Sequence, residues 1–517
     1  MLTQRFDFHL PNDVELTEII GGITAVYSPT TPEASQSITL CYYDTFDWRL
    51  YRNGLVLTGQ NNEYTLRELD TAVTLAQVIC QTPPVFADDL PAGTLHKRVT
   101  PILGVRALLE MACADVTRTT YSLLNEDEKT VARLVVAEIR PSSTTTPLIT
   151  IHLHPLRGYD TEAQTISQRL RDAGLIPGAG TDIYRQIMAA AGKTPGSYHP
   201  KPPVPLTPQM RADEAAKQIL RAQLKVIRSN ESYIAQDIDI EFLHDFRVAI
   251  RRTRSALTQI KGVFPADVTA RFKRDLATVG KMTNQLRDLD VYLLDEARYR
   301  SMLPENLAAD IGPLFTYLRQ KRTAVLADVV ANLNGPQYRQ IMADWESFLN
   351  EPVPENPAAP HAARPIVKVA RKRIFKRYRQ IVAEGREILE NTEDHLLHAL
   401  RIDCKKLRYL LEFFTPLFPP EEIAYLIKQL KQLQTNLGDF NDLCVQEDYL
   451  LHVADELPLA DQQSRHTLMA IGGLVAILHQ ERLRVKAEFA QTFAAFTAPA
   501  NSQLFAELFA RKRLFCK

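Results

Sequence analysis

The chain has 517 residues, of which 45% are hydrophobic and 24% are charged, and its formal net charge is zero. This length exceeds what one hydrophobic core usually holds, so we expect two or three domains with an ordinary globular composition. The N-terminus lacks the apolar core of a signal peptide, and no run approaches the ~18 apolar residues of a membrane span. These features exclude a membrane-spanning protein and predict a cytoplasmic location.

The zero net charge hides an uneven distribution along the chain. Residues 1–200 contain 16 Lys and Arg against 22 Asp and Glu, a net charge of −6. Residues 201–517 contain 45 against 39, a net charge of +6. Local rows of like charge therefore say more about binding partners than the total charge does.

The cysteines are scattered and include neither a Cys-x-x-Cys pair nor a metal-ligand spacing. This pattern predicts a reduced interior without a disulfide framework. The six are Cys41, Cys80, Cys113, Cys404, Cys444 and Cys516.

Residues 1–192 are interpreted as an α+β domain in which strands dominate. Runs rich in β-branched and aromatic residues predict strands, and two further segments predict helices. Turn residues at Asn53-Gly54 and at 125–127 lie between them. The predicted strands include residues 6–8, 55–57, 132–139 and 148–153, and the predicted helices are residues 105–111 and 163–173.

Residues 193–208 contain so many prolines that neither a helix nor a sheet pairing can continue through them, which predicts a stiff linker. From residue 209 onward nearly every segment reads as helical. A second proline-rich break at 351–360 divides this all-α part into halves of about 209–350 and 361–517.

One pattern occurs twice in the helical part. His244 and His398 are each followed by basic residues at +3, +7, +8 and +10, and we call the separation of these two histidines the repeat offset. At roughly 100° per residue, the His and the +3, +7 and +10 residues share an arc of about 80° on a helix. The basic residues are Arg247, Arg251, Arg252 and Arg254 in the first copy, and Arg401, Lys405, Lys406 and Arg408 in the second.

An apolar stripe is predicted beside each basic row. Phe246, Ile250 and Leu257 form the stripe of the first helix, and Leu400, Cys404 and Leu411 that of the second. Like charges at helical spacing repel, so packing alone has no use for these rows. Two rows in register therefore indicate a site for a polyanion. Neither His is interpreted as catalytic, because no nucleophile or metal-ligand pair recurs with it.

The repeat offset relates further residues, which predicts two pseudo-symmetric four-helix bundles. Asp288 and Asp442 recur at this offset, and pairing with Arg or Lys is favoured over a catalytic role for them. The dense basic helix that contains Arg371, Lys372 and Arg379 would widen the site. The other matched pairs are Lys217 with Arg371, Lys225 with Arg379, Arg274 with Lys428, and Arg287-Asp288 with Asn441-Asp442.

Residues 209–517 resemble the CHAD family, the conserved histidine α-helical domain. The resemblance rests on the two His-led motifs, on Arg287-Asp288-Leu289-Asp290-Val291, and on Leu437-Gly438-Asp439-Phe440-Asn441-Asp442-Leu443. It implies binding of inorganic polyphosphate without a cofactor, and association with polyphosphate granules. The candidate ligand residues are His244, Arg247, Arg251, Arg252, Arg254, His398, Arg401, Lys405, Lys406, Arg408, Lys217, Arg221, Lys225, Arg371, Lys372, Arg379, Arg274 and Lys428.

The N-terminal part resembles a CYTH domain, the triphosphate-tunnel fold, at residues 43–55. That family opens with Glu-x-Glu-x-Lys, whereas this chain has Thr3, Arg5 and Asp7 there. Thr58 and Gln60 stand where the family has an Arg-x-Arg strand. Residues 151–154 stand where the family has acidic ligands near the end of the domain. The resemblance implies a CYTH-like fold without a metal site and without metal-dependent hydrolysis.

Two alternatives to polyphosphate binding remain. A metal-dependent triphosphate hydrolase would act through residues 1–190, but the absence of the Glu-x-Glu-x-Lys signature argues against this alternative. A nucleic-acid-binding protein would use the same cations but usually adds aromatic side chains for stacking, and the basic rows contain none on their cationic arc.

Overall fold

The computed structural model describes residues 6–11, 15–24, 26–29, 35–142, 144, 147–178, 180–390, 393–457 and 462–510. The chain divides into two units, residues 1–199 and residues 200–517. No described helix is long and apolar enough to cross a membrane.

The first unit is built on an antiparallel sheet, as the sequence predicts. Nine strands follow one path in the order β10-β1-β9-β8-β7-β3-β4-β5-β6, and β2 pairs with β7. The strands are β1 (Phe6–His9), β2 (Ser28–Pro29), β3 (Gln36–Asp44), β4 (Leu55–Gln60), β5 (Glu63–Glu68), β6 (Thr74–Ile79), β7 (Leu109–Leu124), β8 (Thr130–Pro141), β9 (Leu148–Pro155) and β10 (Ile176–Pro177). The helices of this unit are α1 (Leu16–Thr24), α2 (Arg49–Arg52), α3 (Thr94–Leu103), α4 (Asp160–Asp172) and α5 (Gly180–Ala190).

Two expectations for the first unit are wrong. The helix predicted at residues 105–111 is absent: α3 ends before Gly104, whose φ of 56° suits a residue without Cβ, and β7 begins at Leu109. Cys41 and Cys113 form a disulfide, against the predicted reduced interior. The two lie directly opposite each other on β3 and β7, a juxtaposition that sequence spacing cannot reveal.

Asp44 stabilises the turn that lies within residues 43–55. Its buried carboxylate accepts hydrogen bonds from the backbone N–H groups of Thr45, Leu50 and Tyr51, at 2.7 to 2.9 Å. Burial raises the pKa of Asp44 to about 7, and these hydrogen bonds oppose the shift. The segment therefore builds the turn from β3 into α2, which is a structural role.

The second unit is all-α, and its helices repeat with the predicted offset. The helices that open at Ala212, Ile240 and Ala266 have counterparts that open at Ile366, Asp394 and Pro420. The helices are α6 (Ala212–Gln236), α7 (Ile240–Gln259), α8 (Ala266–Met282), α9 (Asn284–Leu294), α10 (Glu296–Met302), α11 (Glu305–Ala308), α12 (Gly312–Leu333), α13 (Pro336–Asn350), α14 (Ile366–Glu390), α15 (Asp394–Phe414), α16 (Pro420–Glu456), α17 (Gln462–Ala487), α18 (Phe489–Phe496) and α19 (Pro499–Phe509).

The two halves meet through their His-led helices. Helix α7 packs against α15, and α6 packs against α14. The predicted apolar stripes are buried, at 4% exposure or less for all six side chains, which confirms the predicted helical period. One difference breaks the repeat: α16 is a continuous helix of 37 residues, whereas its counterpart is divided into α8, α9 and α10.

Candidate functional site

Helix α7 carries the first basic row and begins where the sequence provides a cap. The carboxylate of Asp239 accepts from the backbone N–H groups of Glu241 and Phe242, at 2.9 and 3.3 Å. Such a cap satisfies donors that the first turn of a helix leaves unpaired. The buried stripe then fixes the rotation of α7 against its neighbours, and the basic row follows beside the stripe.

Cations from both halves converge where α7 packs against α15. We call Arg251, Arg401, Lys405 and Arg408 the cationic cluster. Burial, followed by Arg401 and Arg251, lowers the pKa of Lys405 to about 8, and Arg408 adds to the shift. Arg251 Nε donates to the hydroxyl of Tyr409 at 3.1 Å, which ties the two helices together. Four like charges held this closely favour an anionic ligand, because an anion would relieve their repulsion.

Arg251 of this cluster also lines a cavity of about 630 Å³, whose basic residues come from both halves. This volume lies within the range of small-molecule sites. The basic residues that line it are His244, Arg247, Arg251, Arg287, Arg298 and Arg484. Acidic side chains form another part of the wall, namely Asp288, Asp295, Asp439, Asp442 and Glu481.

Arg247 and Arg401 occupy equivalent positions in the repeat, and each has a carboxylate beside it. Arg401 Nη2 donates to Asp442 Oδ1 at 2.9 Å. Burial lowers the pKa of Arg247 to about 10, and the charge of Asp288 opposes the shift. The ion pair with Arg401 is the structural pairing predicted for Asp442. For Asp288 the pairing stays a prediction: burial raises the pKa of its carboxyl group, and the charge of Arg247 opposes that shift.

The two histidines have different surroundings. His244 lines the cavity, whereas His398 is exposed and its Nδ1 lies 2.5 Å from Asn441 Oδ1. The residue equivalent to Asn441 in the first half is Arg287. The amide of Asn441 therefore lies beside His398, whereas its counterpart Arg287 lies with His244 in the cavity wall.

Within the cationic cluster and the cavity wall, three buried guanidinium nitrogens have no hydrogen-bond partner among the described residues: Arg287 Nη1, Arg401 Nε and Arg408 Nε. Arg408 Nε has only a longer ion pair, 3.6 Å from Glu412 Oε1. Leaving a buried donor unpaired costs about 1–3 kcal/mol. Donors of this kind are suited to a ligand rich in acceptor oxygens.

Four of the predicted ligand residues are committed to the fold instead and do not line the cavity. Arg252 is buried, pairs with Glu412, and lies 4.7 Å from the centroid of the Phe413 ring. Lys406 donates to Asp403 Oδ1 at 2.6 Å. Lys217 and Arg221 donate to backbone carbonyls at the C-terminal end of α13, where such cations stabilise a helix.

The other predicted ligand residues are exposed on the helical unit and do not line the cavity. The structure therefore brings together His244, Arg247 and Arg251 of the first row with Arg401, Lys405 and Arg408 of the second row. The exposed residues are Lys225, Arg254, Arg274, Arg371, Lys372, Arg379 and Lys428.

Sequence reasoning missed three cations of the cavity. Arg287 belongs to the repeat but is not among the predicted ligand residues, and its counterpart is the neutral Asn441. At the offset Arg298 stands against His452 and Arg484 against Val330, so neither has a Lys or Arg counterpart that would have marked it in the repeat. The acidic wall was missed as well, apart from Asp288 and Asp442.

In the first unit, the positions that hold metal or phosphate in the CYTH family carry side chains that contact other side chains of the same unit. His152 Nδ1 lies 2.6 Å from Asp7 Oδ1, and Arg67 donates to the hydroxyl of Thr58 at 2.8 Å. Thr3 and Arg5 lie outside the described residues. Among described residues, one group of three possible metal-ligand atoms falls within 4.8 Å, that of Cys41, Glu110 and Cys113, and its two sulfur atoms form the disulfide.

The duplicated helices and their His-led basic rows define the class of protein. Residues 218–451 match the family model of the CHAD domain, so the second unit contains a CHAD domain. The resemblance predicted from the two motifs is thereby confirmed for this part of the chain.

Relatives are distant. The chain is 24% identical over 296 residues to an uncharacterized protein of Mycobacterium tuberculosis, represented in strains CDC 1551 and H37Rv. The match covers 56% of this chain and 53% of the relative, so the chain spans about half the length of the curated relatives that it matches.

Solved structures with a similar helical part include the CHAD domain from the plant Ricinus communis. It is 25% identical with a TM-score of 0.49, and the match covers 58% of this chain and 96% of that one. PptA from Streptomyces chartreusis is 19% identical with a TM-score of 0.40, and the match covers 55% and 99% of the two chains.

Proposed function

We propose that the helical unit binds inorganic polyphosphate at the cationic cluster and the adjoining cavity. The observation that carries the proposal is the packing of α7 against α15, which brings arginines from both halves close to Lys405. Its pKa is lowered to about 8 by burial and by neighbouring arginines from both halves of the unit. A bound phosphate chain would stabilise the charged form of this lysine and neutralise the arginines around it.

The arrangement of donors favours phosphate over a carboxylate ligand of small size. Guanidinium groups pair with phosphate oxygens through two parallel hydrogen bonds, and several such groups follow one another from Arg247 to Arg408. A chain with an anion at each repeat can contact all of them at once. The cluster lies on two neighbouring helices of a rigid helical core, which holds these donors in place before the ligand arrives.

Nucleic acid is the weaker candidate. Tyr409 is 4% exposed and Tyr292 is also 4% exposed, so the aromatic rings beside the site are engaged in packing. Binding of single strands normally adds stacking of bases on exposed rings. A chain without bases fits this surface better.

The first test is binding of polyphosphate by the full-length chain, followed by fluorescence anisotropy with a labelled polymer. We expect binding at about 50 mM salt and a steep loss on raising the salt, because each neutralised phosphate releases a counterion. With four cations engaged, the slope of log affinity against log salt is roughly −3 by analogy with single strands. Absence of binding at the low salt concentration would refute the proposal, and tighter binding of single-stranded DNA of equal charge would favour nucleic acid.

We further propose that the first unit is a CYTH-like fold without metal-dependent triphosphatase activity. Asp7 is held by His152, and Thr58 accepts from Arg67, where the family has metal ligands and phosphate-binding arginines. Hydrolysis needs a metal or equivalent cations to stabilise the charge that develops on the transferred phosphoryl group. We expect no phosphate release from tripolyphosphate or ATP with Mg²⁺ or Mn²⁺. Turnover that disappears with Asp7→Ala would contradict this and make the hydrolase the leading function.

A further inference from the structure

The acidic wall of the cavity is unexpected in a site for a polyanion. Its five carboxylates match the five arginines of the cavity in number, so the walls carry no net positive charge when His244 is neutral. Three of these acids form ion pairs with arginines: Asp442 with Arg401 at 2.9 Å, Asp295 with Arg298 at 3.5 Å, and Glu481 with Arg484 at 2.8 Å. A phosphate chain that enters the cavity alone would meet this wall with like charge.

The carboxylates lie close enough to disturb one another. Burial raises the pKa of Asp295, and the charge of Asp442 raises it further. The same two causes raise the pKa of Asp439. The five acids of the wall come from α9, from the residue that follows it, from α16 and from α17, so the wall is assembled from both halves of the unit.

A second and independent feature lies in the same wall. Gln446 is 7% exposed, lines the cavity, and its Oε1 is buried without a hydrogen-bond partner among the described residues. Its Nε2 donates to Asp295 Oδ2 at 3.5 Å, so the amide faces the acids. Asp439, Asp442 and Gln446 follow one another at spacings of three and four positions along α16, which places them on one face. Amide and carboxylate oxygens are the ligands that Mg²⁺ and Ca²⁺ prefer.

We propose that the cavity takes polyphosphate together with a hard divalent cation, Mg²⁺ or Ca²⁺, held between the acidic wall and the phosphate oxygens. This inference rests on the proposed function and specifies the form in which the ligand binds. The cation turns the repulsion between wall and chain into a bridge. The arginines of the cationic cluster contact phosphate directly, and the acidic wall contacts it through the metal.

The wall is incomplete as a metal site on its own. Among the described residues, no three of these carboxylates bring ligand oxygens within 4.8 Å of one another. Mg²⁺ commonly keeps several waters and is held by one or two carboxylates plus phosphates of a substrate. The cation is therefore expected to bind weakly to the free protein and tightly in the presence of polyphosphate, and each ligand should strengthen the binding of the other.

The experiment measures polyphosphate affinity of the full-length chain in EDTA and in 0 to about 5 mM MgCl₂ or CaCl₂, at constant ionic strength. For a purely cationic site, divalent cations shield the polymer and weaken binding. For the bridged site we expect affinity to rise, roughly tenfold. Loss of polyphosphate binding under all conditions would refute the proposed function itself. Binding in EDTA that divalent cations weaken or leave unchanged would refute the bridge alone.

Substitutions in the wall provide the matching test. Asp295→Asn with Asp439→Asn should remove the gain from Mg²⁺ while binding in EDTA stays the same or improves, because two repulsive charges are lost. The control is Asp328→Asn with Asp455→Asn, which makes the same charge change at exposed positions of α12 and α16 away from the cavity. The single variant Asp439→Asn, at an exposed position, serves if the double variant is not folded. A gain from Mg²⁺ that survives in a folded wall variant would overturn the inference.

Discussion

Reversing two charges of the cationic cluster, Arg251→Glu together with Lys405→Glu, is expected to weaken polyphosphate binding on the order of 100-fold. The two residues belong to different halves, and Arg251 is among the charges that lower the pKa of Lys405. The change removes two cations and adds two anions where the ligand is proposed to lie. The measurement is the anisotropy titration at fixed salt, with helical content checked by circular dichroism.

The fold should tolerate this change, because a glutamate at position 405 would be attracted by Arg401 and Arg408. The matched control is Lys273→Glu with Lys431→Glu, at exposed positions of α8 and α16 that do not line the cavity. Equal losses in both double variants would mean that only the total charge matters. That result would remove the cluster from the proposed site.

Arg252→Ala is expected to destabilise the helical unit by about 3 kcal/mol, because it breaks a buried ion pair. The side chain of Arg252 is 4% exposed, and its Nε donates to Gln223 Oε1 at 3.1 Å. The substitution leaves Glu412 with the more distant Arg408 and Lys201, each 3.6 Å away. Urea denaturation followed by circular dichroism measures the loss.

Lys406→Ala is the control that the repeat itself provides. Lys406 is the counterpart of Arg252 at the repeat offset, but its side chain is 32% exposed and pairs with Asp403. A pair of this kind is worth about 1 kcal/mol or less. Similar losses for both variants would show that Arg252 has no special structural role. Strongly reduced polyphosphate binding by folded Arg252→Ala would return this residue to the ligand site.

The repeat and the helical periodicity made much of the second unit predictable. A period of about 3.6 residues identifies the buried stripe, and Phe246 and Leu400 are fully buried as expected. The repeat offset then predicts which helices are equivalent. Both signals are read from the sequence directly, so they need no knowledge of which helices pack together.

Which basic residues belong to the proposed site and which stabilise the fold could not be predicted in the same way. Arg251 and Arg252 are neighbours of the same type, and their roles differ because Glu412 and Phe413 approach only one of them. Glu412 lies 160 residues away in sequence. The acidic wall was hidden for the same reason, since its members come from separate helices. In the first unit, the Cys41–Cys113 disulfide depends on strand register, which the sequence alone left open.

The lowered pKa of Lys405 couples the proposed binding of a polyanion to the pH of the solvent. In the free protein this lysine loses its proton near pH 8, because burial and then Arg401 and Arg251 disfavour the charged form and lower its pKa to about 8. A polyanion bound there favours the charged form, so above that pH binding draws a proton from solvent and affinity falls as the pH rises. By thermodynamic reciprocity, protonation of Lys405 strengthens polyanion binding by the same factor. If polyphosphate binds there as proposed, the polymer and the proton bind cooperatively.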